Sequence, residues 1–221
     1  MPPDLRPHQN SEKQQTSSAS STEVPQPRRR NVVRNDDGWC LSRCESLPVL
    51  GFDCGDDDLN EYFAEDAIDA RLHMTCETFS LTHRDAPTVV GLVSVCNDVV
   101  EVKHLRSFLQ FRDTPETKLQ YKEWPAVKIA RLAIRSEIQG KNVGSHLMNL
   151  LKTLFVVDNR TGCRIMTVDA YNKPRVLNFY QRNEFSFLTE KDTTKHTRAM
   201  WFDLRPWRNM IEQNGLSLQV E

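Results

Sequence analysis

Nothing in this 221-residue chain approaches the roughly 20 consecutive apolar residues of a membrane span, so no membrane partner is expected. The opening MPPDLRPHQN lacks the apolar stretch of a signal peptide, and a cytoplasmic location follows as the expectation. Net charge is nearly absent as well. Lys and Arg number 29 against 30 Asp and Glu, a balance of -1 that exerts no global pull toward nucleic acid or an anionic membrane. Metal-ligand spacing is lacking. Cys40 and Cys44 form a C-x-x-x-C pair without a second pair, so no metal is expected, and the six cysteines read as reduced small hydrophobes. The histidines form no spaced cluster, His146 reads as a packing or surface residue, and no Ser/His/Asp or Cys/His set stands out. Neither G-x-x-x-x-G-K-[ST] nor G-x-G-x-x-G occurs, which excludes a Walker loop and a dinucleotide fingerprint.

What is present is unevenly distributed. Residues 31–120 carry 8 basic and 17 acidic residues, a net of -9, whereas 121–221 carry 16 and 10, a net of +6. A polyphosphate ligand is expected in the basic half, and a broad tRNA surface is not favoured by the acidic one. Residues 1–36 are rich in Gln, Ser, Pro and Arg without apolar period and read as a disordered polar tail. The run Arg28-Arg29-Arg30 there is a solvated basic tail or an RNA-contacting arm. A folded domain is expected over 37–210, then a short tail over 211–221.

Strands are predicted over 39–45, 74–82 and 89–95, with a hairpin turn at 84–87. Asp56, Asp57 and Asp58 supply a cap for a helix whose apolar positions are Leu59, Phe63, Ala67 and Ile68. Residues 99–122 are ambiguous, with one short helix expected. The segment 127–134 (VKIARLAI) is a strand of mixed alternation. After a loop from Arg135, the residues Val143, Leu147, Leu150, Leu151 and Leu154 form one apolar helix face. A helix start offers unpaired N–H groups and partial positive charge, glycines let backbone approach a phosphate, and Lys141 adds a full charge. Strand, glycine-bearing loop and helix in that order suit a pyrophosphate. A tight connection has the same form.

Arg131-Leu132-Ala133-Ile134 followed by Gln139-Gly140-Lys141-Asn142-Val143-Gly144 resembles the GNAT acetyltransferase signature, a Leu-Ala-Val-type strand end entering Q/R-x-x-G-x-G/A. Asn142 stands at the usual middle glycine, and Asn tolerates left-handed backbone. A strand over 163–170 and a helix starting with Tyr171-Asn172-Lys173-Pro174 follow. Phe179-Tyr180-Gln181-Arg182-Asn183-Glu184-Phe185 is similar to the family's F-Y-x-x-x-G-F, with Glu184 in the glycine position and Asn183 expected to take the left-handed role. The last strand is read over 198–204. Phe52-Asp53-Cys54-Gly55 with Leu59, and the Arg131–Ile134 run, resemble the branch containing tRNA-acetylating toxins.

The resemblance implies an α/β (α+β) fold, with a mixed, mostly antiparallel sheet flanked by helices and splayed at its fourth and fifth strands. It implies acetyl-CoA as co-substrate. Leu132, Ala133 and Ile134 would contact the pantetheine arm, Gln139, Gly140, Lys141, Asn142, Val143, Gly144 and Ser145 the pyrophosphate, and Asn178 the pantetheine or phosphate region. Tyr180 would be the general acid for the departing thiolate. Glu137 and Asp169 are the carboxylates nearest the motif, and neither is assigned as base. The expected activity is N-acetylation of a small-molecule or protein amine. The alternatives are an aminoacyl-tRNA-acetylating toxin with an antitoxin and a non-catalytic coenzyme A-binding module. A homodimer is left open.

Overall fold

The computed structural model describes residues 32–101, 122–157, 159 and 162–214. Eight strands form one sheet in the order β1-β2-β3-β4-β5-β6-β8-β7. They are β1 (Val32–Arg34), β2 (Trp39–Arg43), β3 (Glu77–His83), β4 (Ala86–Glu101), β5 (Glu123–Ile134), β6 (Ile165–Tyr171), β7 (Ser186–Phe187) and β8 (Thr197–Asp203). Every pairing is antiparallel except β5 with β6. That parallel pair needs a crossover, which the helix α3 (Val143–Val157) supplies.

Ordered chain begins earlier than composition indicated. Val32 and Val33 lie inside the segment read as a disordered tail, yet both are buried in β1 against β2. Two adjacent apolar residues suffice to add a short edge strand to an existing sheet. The far boundary shifts too, because the helix α5 (Leu204–Asn214) runs past residue 210. Arg28–Arg30, most of 99–122 and the end of the C-terminal tail lie outside the described residues.

The back of the sheet carries α3, the helix α4 (Pro174–Arg182) and α5 over one continuous apolar cluster. Val143, Leu147, Leu150, Leu151 and Leu154 of α3 are all buried in it, as their spacing predicts. Gly91 on β4 permits this approach: a Cβ there would lie 2.9 Å from Ile134 and 3.0 Å from Leu147. The front carries α1 (Asp57–Glu61) and α2 (Ala67–Leu72), joined by a π turn, Tyr62–Asp66. Asp56 caps α1 by accepting the Leu59 N–H at 3.1 Å. The wide turn brings the consecutive residues Tyr62 and Phe63 both inward, beside Leu92 and Ala133. Among the described residues no helix is long and apolar enough to cross a membrane.

Candidate functional site

The mixed alternation of 127–134 has a cause in the sheet. Arg131 pairs with Ser94 and Ile129 with Val95, so Ala130 is an extra residue on β5. Such a bulge bends and twists its strand. Pairing between β5 and β6 stops at the same place, its last partners being Ile129 and Val168. Beyond them the two strands part. The gap falls one strand later than the fourth-and-fifth numbering, because β1 precedes the others.

The bulge also decides which groups line the gap. Arg135 N–H donates to Val90 C=O on β4 at 2.9 Å. By antiparallel alternation, Ala133 and Arg131 also turn their backbone groups toward β4, while Leu132 and Ile134 turn theirs toward the gap. Ile134 C=O is already occupied, accepting from Gln139 Nε2 at 2.9 Å. The groups open to a ligand are Leu132 N–H and C=O and Ile134 N–H. Ala133 lies apart from them, with its methyl in the front cluster.

At the end of β5 the chain makes a 3-10 turn, Ser136–Ile138, then the glycine-bearing loop. Gly140 has φ +79° and a Cβ there would meet nothing within 4 Å, so the space above it is open. Asn142 adopts φ +63°, the left-handed backbone of the glycine it replaces. Ser145 and His146 N–H both bond back to Asn142 C=O, at 3.0 and 3.3 Å, and so close the first turn of α3. The N–H groups of Val143 and Gly144 ahead of that turn have no intrahelical acceptor. Gly140, Lys141 and Asn142 are exposed, and Gly144 and Ser145 follow at the helix start. His146 stacks on Trp39 at 5.2 Å, a packing role.

Gln139 behaves differently from its loop neighbours. Its Nε2 donates to Cys54 C=O at 2.7 Å as well as to Ile134 C=O, and its Oε1 accepts from Arg175 at 2.8 Å. The side chain is a strut that ties the loop to β5, α4 and the Phe52–Asp56 turn. That turn braces the loop from the front: Asp53 C=O accepts the Ser136 N–H at 2.9 Å, and Arg135 lies over the Phe52 ring. Asp53 itself accepts from Gly55 N–H and Asn60 Nδ2, each at 2.8 Å, and these bonds hold its carboxyl below the usual range.

Two cations at the start of α4 escaped the sequence reading. Lys173 is the N-cap and Arg175 lies in the first turn. The positive end of a helix disfavours basic residues, so their placement at this one was the signal that the sequence could have offered. Arg175 reaches the loop through Gln139. Phe179 reaches it too, because a Cβ on Gly144 would sit 2.9 Å from Phe179 Cε2. The loop and the helix bearing Tyr180 therefore touch.

Tyr180 is buried between Phe179 and Phe185, with ring centroids 5.1 and 5.5 Å away. Its hydroxyl has no hydrogen-bond partner among the described residues, and burial pushes its pKa up, which keeps the phenol protonated. Asn178 lies on the exposed face of the same helix, turned away from Tyr180. The helix ends on Glu184, not Asn183. Glu184 takes φ +66°, while Asn183 stays at φ -93°. Phe185 N–H bonds to Tyr180 C=O at 3.0 Å and Glu184 N–H to Gln181 C=O at 2.9 Å, a Schellman ending. Asn183 cannot serve as the left-handed residue because its side chain turns back onto Phe179 C=O at 2.8 Å. Buried Lys152 on α3 holds the ending in place, donating to Asn183 C=O at 2.7 Å with Glu184 3.6 Å away.

The front of the gap carries a strip of polar side chains. Lys128 pairs with Asp169 at 2.5 Å across the parting strands, and Thr167 donates to Asp98 at 2.5 Å. Burial opposes the charge on Lys128, but Asp169 and Asp98 outweigh it and raise the pKa. Arg131 lies over the Tyr62 ring at 5.0 Å. Asp169 is thus at the gap, and Glu137 is on the 3-10 turn beyond it. Among the described residues no cluster of three metal-ligating side chains occurs.

No protein-family model matches the chain, and no curated protein sequence does. Solved structures do. A tyrosine-to-phenylalanine mutant of KacT aligns with a TM-score of 0.63 at 21% identity, covering 80% of this chain and 99% of that one. AtaTR bound with AcCoA gives 0.60 at 21%, covering 79% and 99%. AtaT complexed with acetyl-methionyl-tRNAfMet gives 0.58 at 20%, covering 72% and 89%. The chain has the GNAT acetyltransferase fold. One of these neighbours is a tRNA complex. Eight of the 17 acidic residues of 31–120 fall between Asp53 and Asp69, around α1 and α2. The negative charge is local to one helical segment and does not describe the whole surface.

Proposed function

We propose that this protein is an acetyl-CoA-dependent N-acetyltransferase whose acceptor is the amino group of an aminoacyl-tRNA. One observation carries the enzymatic reading. The gap that opens past Ile129 and Val168 is flanked by a loop with outward N–H groups and, in direct contact with that loop, by the helix bearing Tyr180. A thioester threaded along Leu132 would meet free backbone groups, and its carbonyl oxygen would gain from the Leu132 N–H as negative charge develops, an effect worth about 3 kcal/mol. The N–H groups at the start of α3, with Lys141 and Arg175, suit the diphosphate. The buried, protonated Tyr180 phenol suits proton delivery to the departing sulfur. Lys173, at its N-cap, and Asn178 are exposed on the same helix.

The acceptor reading is supported by the neighbours whose structures hold acetyl-CoA, acetyl-methionyl-tRNA or an antitoxin segment. A protein antitoxin is the partner that goes with it. The test is thiol release from acetyl-CoA with charged tRNA, alongside growth arrest on expression. Tyr180→Phe is expected to lower turnover by about 100-fold with acetyl-CoA affinity unchanged, and to relieve the arrest. Thiol release with free amines but not with charged tRNA would return the acceptor to a small molecule or protein amine. Binding of acetyl-CoA without turnover on any acceptor would leave a coenzyme A-binding module.

A further inference from the structure

Two of the six cysteines lie across from each other. The register of β3 with β4 sets Glu77 opposite Val95 and Thr78 opposite Ser94. Continued by one residue, to Cys76 immediately ahead of β3, the same register falls on Cys96. The row matters. Thr78 C=O accepts from Cys44 N–H on the β2 side, so Thr78 faces β4 as a pair that shares no backbone hydrogen bonds. In such pairs the side chains come closest. Here the Thr78 and Ser94 hydroxyls are 2.7 Å apart. Cys76 and Cys96 are the next pair in that row, two residues on. Directly opposite residues have Cα atoms about 4.5–5.5 Å apart, inside the roughly 4.4–6.8 Å that a disulfide spans.

Other features single out this pair. Both residues are partly exposed, and Cys76 is among the groups that raise the Cys96 thiol pKa. Cys44 and Cys54 are already engaged, the first donating to Ser46 C=O at 3.4 Å and the second to Asn60 Oδ1 at 3.1 Å. The groups that face Cys96 are Lys128 from β5, Asp98 from its own strand and Cys76 from the α2–β3 connection. Tyr62, from the π turn, lies beside Cys76.

We propose that Cys76 and Cys96 form a dithiol site that hydrogen peroxide oxidises to an intramolecular disulfide. One thiolate attacks a peroxide oxygen, the O–O bond breaks, and a sulfenic acid and water form. The second thiol attacks the sulfenic sulfur, the S–S bond forms, and a second water leaves. Two sulfurs each lose one electron to the peroxide, and two thiol protons end in water. The bond would join the α2–β3 connection to β4, on the side of the sheet that carries Lys128 and Arg131. Burial and the neighbouring thiol raise Cys96 to about 11, so the reduced pair is mostly protonated at neutral pH. Oxidation speeds up as pH rises, because the thiolate is the reacting form.

The experiment uses the full chain, reduced, desalted and treated with hydrogen peroxide. Intact mass is expected to fall by about 2 Da with the loss of two of the six thiols. Peptide mapping should join Cys76 to Cys96, and dithiothreitol should restore both. The rate should climb about tenfold per unit between pH 7 and 9. Cys76→Ser and Cys96→Ser should each abolish the 2 Da loss. The map needs no variant, so a poorly folding substitution does not decide the matter. Retention of six thiols, oxygen additions without the 2 Da loss, or a link between other cysteines would each overturn the proposal.

Discussion

The two faces of this sheet are built on different plans. Behind it, one apolar cluster runs without a break from Val33 and Leu41 at one edge to Phe202 and Leu204 at the other, under three helices. In front, two small clusters, one around Tyr62 and Phe63 and one around Trp124 and Trp201, are separated by Lys128, Asp169, Asp98 and Thr167. The back face positions the loop and Tyr180 by packing, where every atom is constrained by its neighbours. The front face leaves charged groups at the mouth of the gap, held by pairing alone. Precision behind and openness in front suit a site that grips one ligand and admits another from the opposite side.

The sharpest way to break that division is to crowd the back face at Gly144. A valine there would drive into Phe179, and overpacking of this kind costs about 3 kcal/mol. Acetyl-CoA affinity is expected to fall more than tenfold as loop and α4 are forced apart. Gly140→Ala is the companion variant. It has open space but a positive φ, so its cost is about 1 kcal/mol, from backbone conformation alone. Denaturant midpoints and calorimetric affinities for the two variants separate packing from backbone. Equal losses would mean that the α3–α4 contact does not set the loop.

Elements that repeat locally were legible in the sequence. The α3 face, the Asp56 cap, the proline at the start of α4 and the left-handed Asn142 all follow from spacing or residue type within a few positions. Features that depend on distant partners were not. The Ala130 bulge shows only as imperfect alternation in 127–134, because its cause lies in β4. Gln139 matched a phosphate-loop position, but its partners, Cys54 and Arg175, are 85 and 36 residues away. Asn183 looked the better left-handed residue on propensity, yet Glu184 holds that place because Lys152 waits beneath it.

Lys152 also tests how tolerant the back face is of charge. It is buried on α3 with its ammonium over the rings of Phe202, Trp207 and Phe185 at 3.8, 4.9 and 5.8 Å. Burial lowers its pKa to about 8 from the ordinary 10.5, with Glu184 pulling the other way. Between those values the unfolded chain binds the proton and the folded chain does not. Stability from this group is therefore lowest below pH 8 and rises as pH climbs toward 10.5, by about 3 kcal/mol in all. The measurement is the difference in unfolding free energy between the parent and Lys152→Met from pH 7 to 10.5, which cancels the other lysines. A flat difference would place the ammonium in an environment as favourable as water.

The smallest effect belongs to the front face, at Tyr62. Its ring is packed against Phe63 at 5.2 Å and covered by Arg131. Its hydroxyl is buried, pointing toward Ser94 and Cys76, and has no hydrogen-bond partner among the described residues. Desolvation raises its pKa, with Ser94 and Arg131 acting in the opposite direction. An unpaired buried hydroxyl is a liability to folding, so removing it costs nothing and returns up to about 1 kcal/mol. Tyr62→Phe is accordingly expected to unfold at the same denaturant concentration as the parent or slightly higher. A clear loss of stability would mean that the hydroxyl is bonded in solution. If acetyl transfer fell while stability held, the hydroxyl would belong to the acceptor side of the gap, and the polar strip would extend beneath the π turn.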